Sequence, residues 1–160
     1  MKQTTLCYIH ADGKTLLMHR TKKKNDLNGG KWIGVGGKFE PGETAEECLL
    51  REVKEETGLT LTGYRCRGVV DFLSDKWEDE AMHLFTADAF TGELLPPEKW
   101  TEGDLQWVPD EQVAALPTWE GDRIFWELIR RDEPFFRLTL CYDAEDKLKS
   151  AALNGTPLTL

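Results

Sequence analysis

The sequence of 160 residues lacks several features that mark extracellular, membrane-spanning or thiolate-metal proteins. No run approaches the roughly 18 apolar residues of a membrane span, and no signal-peptide pattern precedes Thr4. The cysteines are few and scattered, without a Cys-x-x-Cys pair: Cys7, Cys48, Cys66 and Cys141. We therefore expect free thiols, a cytoplasmic location and no membrane partner.

Positive charge is also scarce. Twenty Lys and Arg residues stand against 29 Asp and Glu residues, which gives a net charge of −9. Duplex DNA is bound through basic patches, so polymeric nucleic acid is not expected as a partner. Histidine is rare as well, and His10, His19 and His83 lack the spacing of zinc ligands. A single nucleotide bridged through a metal ion remains compatible with an acidic protein.

The length predicts one domain over residues 1–160, with a single core that removes roughly 70% of the unfolded surface from water. We expect a monomer or a small homo-oligomer. Residues 143–160 form a polar C-terminal tail, which we expect to be partly disordered.

Strand-forming runs alternate with turns, and three segments have helical patterns. The predicted strands are 4–9, 15–19, 32–35, 60–73, 81–90, 105–108 and 135–142, and the predicted helices are 45–57, 110–116 and 123–131. This order indicates the α/β class, with a mixed β-sheet between helices.

The central stretch, residues 36–59, predicts a tight turn followed by a capped helix. Pro41-Gly42 is a turn signal, and Thr44 with Glu47 three residues later forms a capping box, so the helix should begin near Ala45. Gly58 should end it.

Three acids crowd the end of this predicted helix. Glu52, Glu55 and Glu56 stand at i, i+3 and i+4, where like charges repel, and the helix dipole disfavours anions there. The apolar residues Leu49 and Val53 lie on the same side, so the acids should sit at the edge of a core. Such carboxylates favour a divalent cation, and oxygen ligands favour Mg²⁺ or Mn²⁺.

The same stretch resembles the Nudix box in full. Gly37, then five residues, Glu43, then seven residues, and Arg51-Glu52-Val53-Lys54-Glu55-Glu56-Thr57-Gly58-Leu59 match every specified position. The resemblance implies an α/β/α sandwich and a Mg²⁺-dependent hydrolase of nucleoside diphosphates linked to another group. Segments 31–38, 105–109 and 117–122 further resemble MutT/MutX-type 8-oxo-dGTP diphosphatases.

The resemblance assigns roles to the box residues. Glu52, Glu55 and Glu56 are expected as metal ligands, together with the carbonyl oxygen of Gly36. Glu102 is expected to supply an additional metal-binding or base carboxylate, unless it is simply a solvated loop residue. Which glutamate takes the proton from water is left open.

Two further charged residues of the box are expected to position the metal ligands rather than to bind the metal. Arg51 should orient the carboxylates and the turn, and Glu43 should accept hydrogen bonds there. Gly37 and Gly58 have backbone roles, in the close turn and at the end of the helix.

Basic residues concentrate in the polar loop 20–31 and just after it. They are Arg20, Lys22, Lys23, Lys24, Lys31 and Lys38. Phosphate oxygens are the natural counterpart of this charge, although each single lysine could also be a solvated loop residue. We predict phosphate binding by Arg20, Lys22, Lys23 and Lys38.

Nucleobase recognition is predicted at residues 117–122. An exposed Trp119 could stack on a purine, and the acceptor-only carboxylate of Asp122 suits the two donors on the guanine edge. Alternatively, Trp119 belongs to the core and Asp122 is a helix N-cap. Ile33 and Gly121 depart from relatives that carry Asn and an acid at these positions.

The leading hypothesis is a nucleoside triphosphate pyrophosphohydrolase that acts on oxidised purine nucleotides. A diphosphatase for other triphosphates, ADP-ribose or capped RNA ends is the enzymatic alternative. A nucleotide sensor without catalysis is a third possibility, although such modules usually lose box carboxylates that this chain retains.

Overall fold

One mixed sheet of nine strands forms the centre of the protein, in a computed structural model that describes residues 1–160. The strands are β1 (Lys2–Ala11), β2 (Lys14–His19), β3 (Trp32–Ile33), β4 (Thr60–Ser74), β5 (Glu80–Thr91), β6 (Asp104–Pro109), β7 (Phe136–Tyr142), β8 (Leu148–Leu153) and β9 (Thr156–Pro157). The helices are α1 (Ala45–Thr57), α2 (Asp110–Val113) and α3 (Glu120–Arg130), and Pro97–Lys99 is a 3₁₀ turn. None of the helices combines the length and apolar character needed to cross a membrane.

The strand order is β3-β2-β1-β5-β4-β7-β8-β9, and β6 pairs with the other edge of β2. The β1/β5 and β4/β7 pairs are parallel, whereas the remaining pairs are antiparallel. The parallel pairing of β1 with β5 places Lys2 beside Glu80 and Thr4 beside Met82, although these residues are far apart in sequence.

Apolar residues alternate along β1 and serve two separate cores. Leu6 and Tyr8 pack on the side of α3, where Phe125 is fully buried. Cys7 faces the other side, where Leu49 of α1 is fully buried. Helices therefore cover both faces of the sheet, and the predicted α/β/α sandwich is confirmed.

The C-terminal tail is the main correction to the predicted fold. Residues 148–153 and 156–157 are strands β8 and β9, so the expectation of disorder is wrong for them. β8 pairs with β7, and its Ala151 is only 3% exposed in the core on the α3 side. β7 was predicted as the final strand, but it lies inside the sheet between β4 and β8.

Candidate active site

The helix that carries the acids begins and ends where its sequence predicts. The Thr44 hydroxyl accepts a hydrogen bond from the Glu47 N–H at 3.1 Å, and the Glu47 carboxylate accepts one from the Thr44 N–H at 3.0 Å. Gly58 has a left-handed backbone, with φ of 83°, and its N–H donates to the carbonyl of Lys54. Because both ends are capped, α1 has a fixed length and position at the edge of the core.

The last turns of α1 face a cavity of about 390 Å³. Glu52 and Glu56 line this cavity. Glu55 does not: its side chain is 59% exposed and accepts a hydrogen bond from Arg51 at 3.1 Å. Two of the three acids therefore line the cavity. Glu55 would have to break its hydrogen bond with Arg51 to act as the predicted ligand.

Glu102 reaches the same cavity from the loop before β6. Its carboxylate lies 3.6 Å from the guanidinium of Arg20. Burial raises the pKa of Glu56 well above its usual range, and the charges of Glu102 and Glu52 raise it further. Crowded carboxylates of this kind favour a cation among them.

Gly37 lets the backbone approach Glu52 closely, and Gly36 lets it approach the backbone of β1. A Cβ atom on Gly37 would lie 2.5 Å from the carboxyl carbon of Glu52, and one on Gly36 would lie 2.0 Å from the Thr5 carbonyl oxygen. The Thr5 N–H donates to the Gly37 carbonyl at 2.9 Å, whereas the Gly36 carbonyl oxygen accepts no hydrogen bond. That oxygen is free for a ligand, as expected of a metal-binding carbonyl.

Arg51 connects the acids of the box to the turn before α1. Its Nε and Nη2 atoms donate to the two oxygens of Glu43 at 2.6 and 2.9 Å, and its Nη1 donates to Glu52 at 2.8 Å. Nη2 also donates to the Lys38 carbonyl at 3.1 Å. The hydrogen bonds from Arg51 lower the pKa of Glu43 to about 2. The guanidinium thus holds Glu52 and the turn in one arrangement.

The oxygen donors fit a hard divalent cation, although their side chains do not yet converge. No three His, Cys, Asp or Glu side chains meet at one metal position in this conformation. Glu52, Glu56 and Glu102 nevertheless line one cavity beside the free Gly36 carbonyl. These residues offer only oxygen ligands.

The basic residues of the loop fall into two groups. Lys23 and Lys38 line the cavity and make no ion pair, so their charges are free for an anion. Arg20 also lines it, but its Nε donates to Asp26 at 2.9 Å. Lys22 lies outside the cavity and pairs with Asp104 at 3.8 Å, so its binding of phosphate stays a prediction.

Trp119 closes the other end of the cavity, but it is not the exposed platform that was predicted. It is 3% exposed and packs edge-on against Phe72, with ring centroids 5.1 Å apart. Its Nε1 donates to the Asn28 side chain at 2.8 Å, and the Lys31 ammonium lies 4.5 Å from the ring centroid. Trp119 is therefore a core residue with one side on the cavity, and it fastens the basic loop.

Asp122 also lines this end of the cavity and is 7% exposed. The alternative of an N-cap is wrong, because α3 begins at Glu120, and Asp122 lies within its first turn. The Thr118 hydroxyl donates to Asp122 at 3.0 Å. Burial raises the pKa of Asp122 to about 7, so the side chain is partly protonated near neutral pH.

Several residues of this end of the cavity carry no local signal in the sequence. They are Lys2, Thr4, Asn28, Phe72, Glu80 and Met82. Lys2 and Thr4 meet Glu80 and Met82 because β1 and β5 pair in parallel, Phe72 joins them from β4, and Asn28 joins them from the loop before β3. No motif specifies these contacts between distant segments. For Glu80, the only indication in the sequence is that this acid directly precedes the predicted strand 81–90.

Comparisons with known proteins show which family and fold this chain resembles. The family model described as the NUDIX domain matches residues 2–129. The uncharacterized Nudix hydrolase YvcI of Bacillus subtilis is 28% identical over 158 residues, which cover 96% of this chain and 95% of YvcI. The oxidized purine nucleoside triphosphate hydrolase of Danio rerio is 32% identical over 135 residues, covering 84% and 83% of the two chains.

A solved structure is similar over nearly the whole chain. The crystal structure of the mutator MutT protein from Bacillus halodurans superposes with a TM-score of 0.84 at 26% identity. It covers 98% of this chain and 100% of its own. The likeness therefore includes the C-terminal strands that follow the matched family region.

Proposed function

Because the chain belongs to the Nudix family, we propose that it is a Mg²⁺-dependent nucleoside triphosphate pyrophosphohydrolase. Its products are the nucleoside monophosphate and pyrophosphate. Oxidised purine nucleotides such as 8-oxo-dGTP are the proposed substrates. The protein would then contribute to DNA repair by removing oxidised nucleotides from the nucleotide pool. A cytoplasmic location is part of the proposal and is supported by four free cysteines.

One observation carries the proposal: a single cavity joins three kinds of chemistry. The carboxylates of Glu52, Glu56 and Glu102 lie at one end, and Lys23 and Lys38, which form no ion pair, line the same cavity. The other end offers aromatic and aliphatic surface together with a buried acid. A triphosphate, its metal and a base need these three environments.

The acidic end is suited to hydrolysis of a phosphoanhydride. We propose that Glu52, Glu56, Glu102 and the Gly36 carbonyl hold the metal, with Glu55 joining once it leaves Arg51. A bound Mg²⁺ supplies neutralisation of phosphoryl charge and lowers the pKa of a coordinated water. The chain itself orients these donors through Arg51, and Lys23 and Lys38 attract the polyphosphate.

The other end is suited to a purine. Trp119 and Phe72 form a rigid apolar wall, and Asp122 can take the donors of the base edge. Ile33 lines the cavity as well and cannot form a polar contact to the base. Among the residues that the sequence predicted for base binding, Asp122 is therefore the one that we propose forms polar contacts to the base.

A panel of substrates with Mg²⁺ tests the proposal. We expect monophosphate and pyrophosphate from 8-oxo-dGTP and dGTP, and at least a roughly hundredfold loss of kcat in Glu56→Gln. The control is Glu127→Gln, because Glu127 is exposed on α3, and its side chain makes no hydrogen bond or ion pair.

Two results would contradict the proposal. The first is the absence of pyrophosphate from every triphosphate, and the second is full activity of Glu56→Gln. A higher kcat/KM for ADP-ribose or a capped RNA end than for any triphosphate would favour the broader diphosphatase instead.

A further inference from the structure

The base end of the cavity contains a second acid, Glu80, whose acceptor capacity is largely unused. Glu80 begins β5, and its side chain is 17% exposed. Its Oε2 accepts a hydrogen bond from the Thr4 hydroxyl at 2.6 Å. Its Oε1 lies 3.8 Å from the Lys2 ammonium, beyond hydrogen-bond distance, and has no other partner. A carboxylate has about four acceptor sites, so Glu80 can accept further hydrogen bonds.

Glu80 and Asp122 face the same space from opposite sides. Glu80 projects from the sheet, Asp122 projects from α3, and both line the cavity. The cavity that they share has a volume of about 390 Å³, and Thr4 and Trp119 also line it. Thr4 holds the Glu80 carboxylate in place, which limits the conformational entropy lost on binding.

A second acid cannot come from position 121, directly before Asp122. Gly121 stands beside Asp122, but a Cβ atom there would lie 2.4 Å from Leu140 Cδ1 and 2.7 Å from the Tyr142 hydroxyl. The packing of β7 therefore requires glycine at this position. With Ile33 apolar, Glu80 is the acid that remains to share the base edge with Asp122.

We propose that Glu80 is a specificity-determining residue that accepts a hydrogen bond from the exocyclic 2-amino group of a guanine-type base. This inference rests on the proposed function and deepens it, because it names the feature of the purine that the cavity selects. Asp122 then contacts the neighbouring ring N–H, and Thr4 keeps the Glu80 carboxylate turned inward. Adenine has no 2-amino group and leaves Oε1 of Glu80 without a hydrogen bond, which costs affinity.

The test compares two nucleotides that differ only in the 2-amino group. Calorimetry with dGMP and dIMP in the presence of Mg²⁺ gives the ratio of their Kd values. We expect wild-type protein to bind dGMP about tenfold more tightly, because a charge-assisted hydrogen bond is lost with dIMP. Glu80→Gln should reduce this ratio to about threefold, because its amide oxygen can make only a neutral hydrogen bond to the 2-amino group.

The matched control is Glu78→Gln. Glu78 is an exposed acid two residues away, and its side chain has no hydrogen bond or ion pair. It should keep the wild-type ratio. Glu80→Asp withdraws the carboxylate by one methylene while preserving its charge, so it should also lose selectivity. It replaces Glu80→Gln if that variant does not fold.

Equal affinity of wild-type protein for dGMP and dIMP would overturn the inference, as would an unchanged ratio in the folded Glu80 variant. If Glu80 had a merely structural role, its substitution would weaken the binding of dGMP and dIMP equally and leave the ratio of their Kd values unchanged. The proposed function fails separately: selective dGMP binding without triphosphate hydrolysis rejects only the hydrolase. Hydrolysis without an effect of the 2-amino group rejects only the role of Glu80.

Discussion

Replacing Asp122 by asparagine should change how the stability of the protein depends on pH. In the folded protein, burial raises the pKa of Asp122 from 3.8 to about 7. Between these values the folded state binds a proton that the unfolded state releases. The free energy of unfolding therefore falls as the pH rises from about 4 to about 7, and the loss is complete above the folded pKa.

The magnitude follows from the size of the shift. Each pKa unit corresponds to about 1.4 kcal/mol, so ionising Asp122 costs the folded protein about 4 kcal/mol above pH 7. About 3 kcal/mol of this cost arises between pH 5 and pH 8. Asparagine has nearly the same shape, can accept from Thr118 and does not ionise. Relative to wild type, Asp122→Asn should therefore gain about 3 kcal/mol between pH 5 and pH 8.

Urea unfolding at a series of pH values measures this difference. The control is again Glu127→Gln, because Glu127 is an exposed acid of the same helix. Its stability curve should stay parallel to that of wild type. If the curves of wild type and Asp122→Asn are parallel from pH 5 to pH 8, Asp122 is already ionised in the folded protein, and the reasoning from burial is refuted.

Two other substitutions test the packing and the hydrogen bonds of the site. Gly121→Ala should lower the free energy of unfolding by about 1–3 kcal/mol, because its methyl group would collide with Leu140 and Tyr142. Urea unfolding measures this loss, and wild-type stability would refute the collision. Arg51→Lys should lower stability by about 1–3 kcal/mol, because lysine cannot reproduce the two bonds to Glu43. Thermal unfolding without divalent ions checks the second effect, and an unchanged midpoint would contradict it.

Local sequence signals predicted the part of the site that α1 carries. Thr44, Glu47 and Gly58 act on their own helix ends, so a reader of the sequence can place α1 to the residue. Glu52, Glu55 and Glu56 were also predicted locally, from their spacing within this helix. Even there, only the structure shows that Glu55 lies outside the cavity and accepts a hydrogen bond from Arg51.

Contacts between distant segments were harder to predict. Trp119 precedes α3 without a side-chain cap, so the start of this helix was placed three residues late. Its burial depends on Phe72 and Tyr142, which come from other strands. Glu80 and Thr4 meet only through the parallel pairing of β1 with β5. No local pattern reports such a pairing, because it depends on the path of the whole chain.

The position of β7 in the sheet also has a consequence for biosynthesis. β7 pairs in parallel with β4, and its Tyr142 hydroxyl accepts a hydrogen bond from the Gly121 N–H, which fixes the start of α3. Translation delivers the N-terminal part first, at about 5–20 residues per second. The capped helix and its acids can thus form on a nascent polypeptide well before β7 packs behind Trp119 and Gly121. A ribosome-bound chain should therefore complete the acidic end of the cavity earlier than the end that Trp119 and Asp122 line.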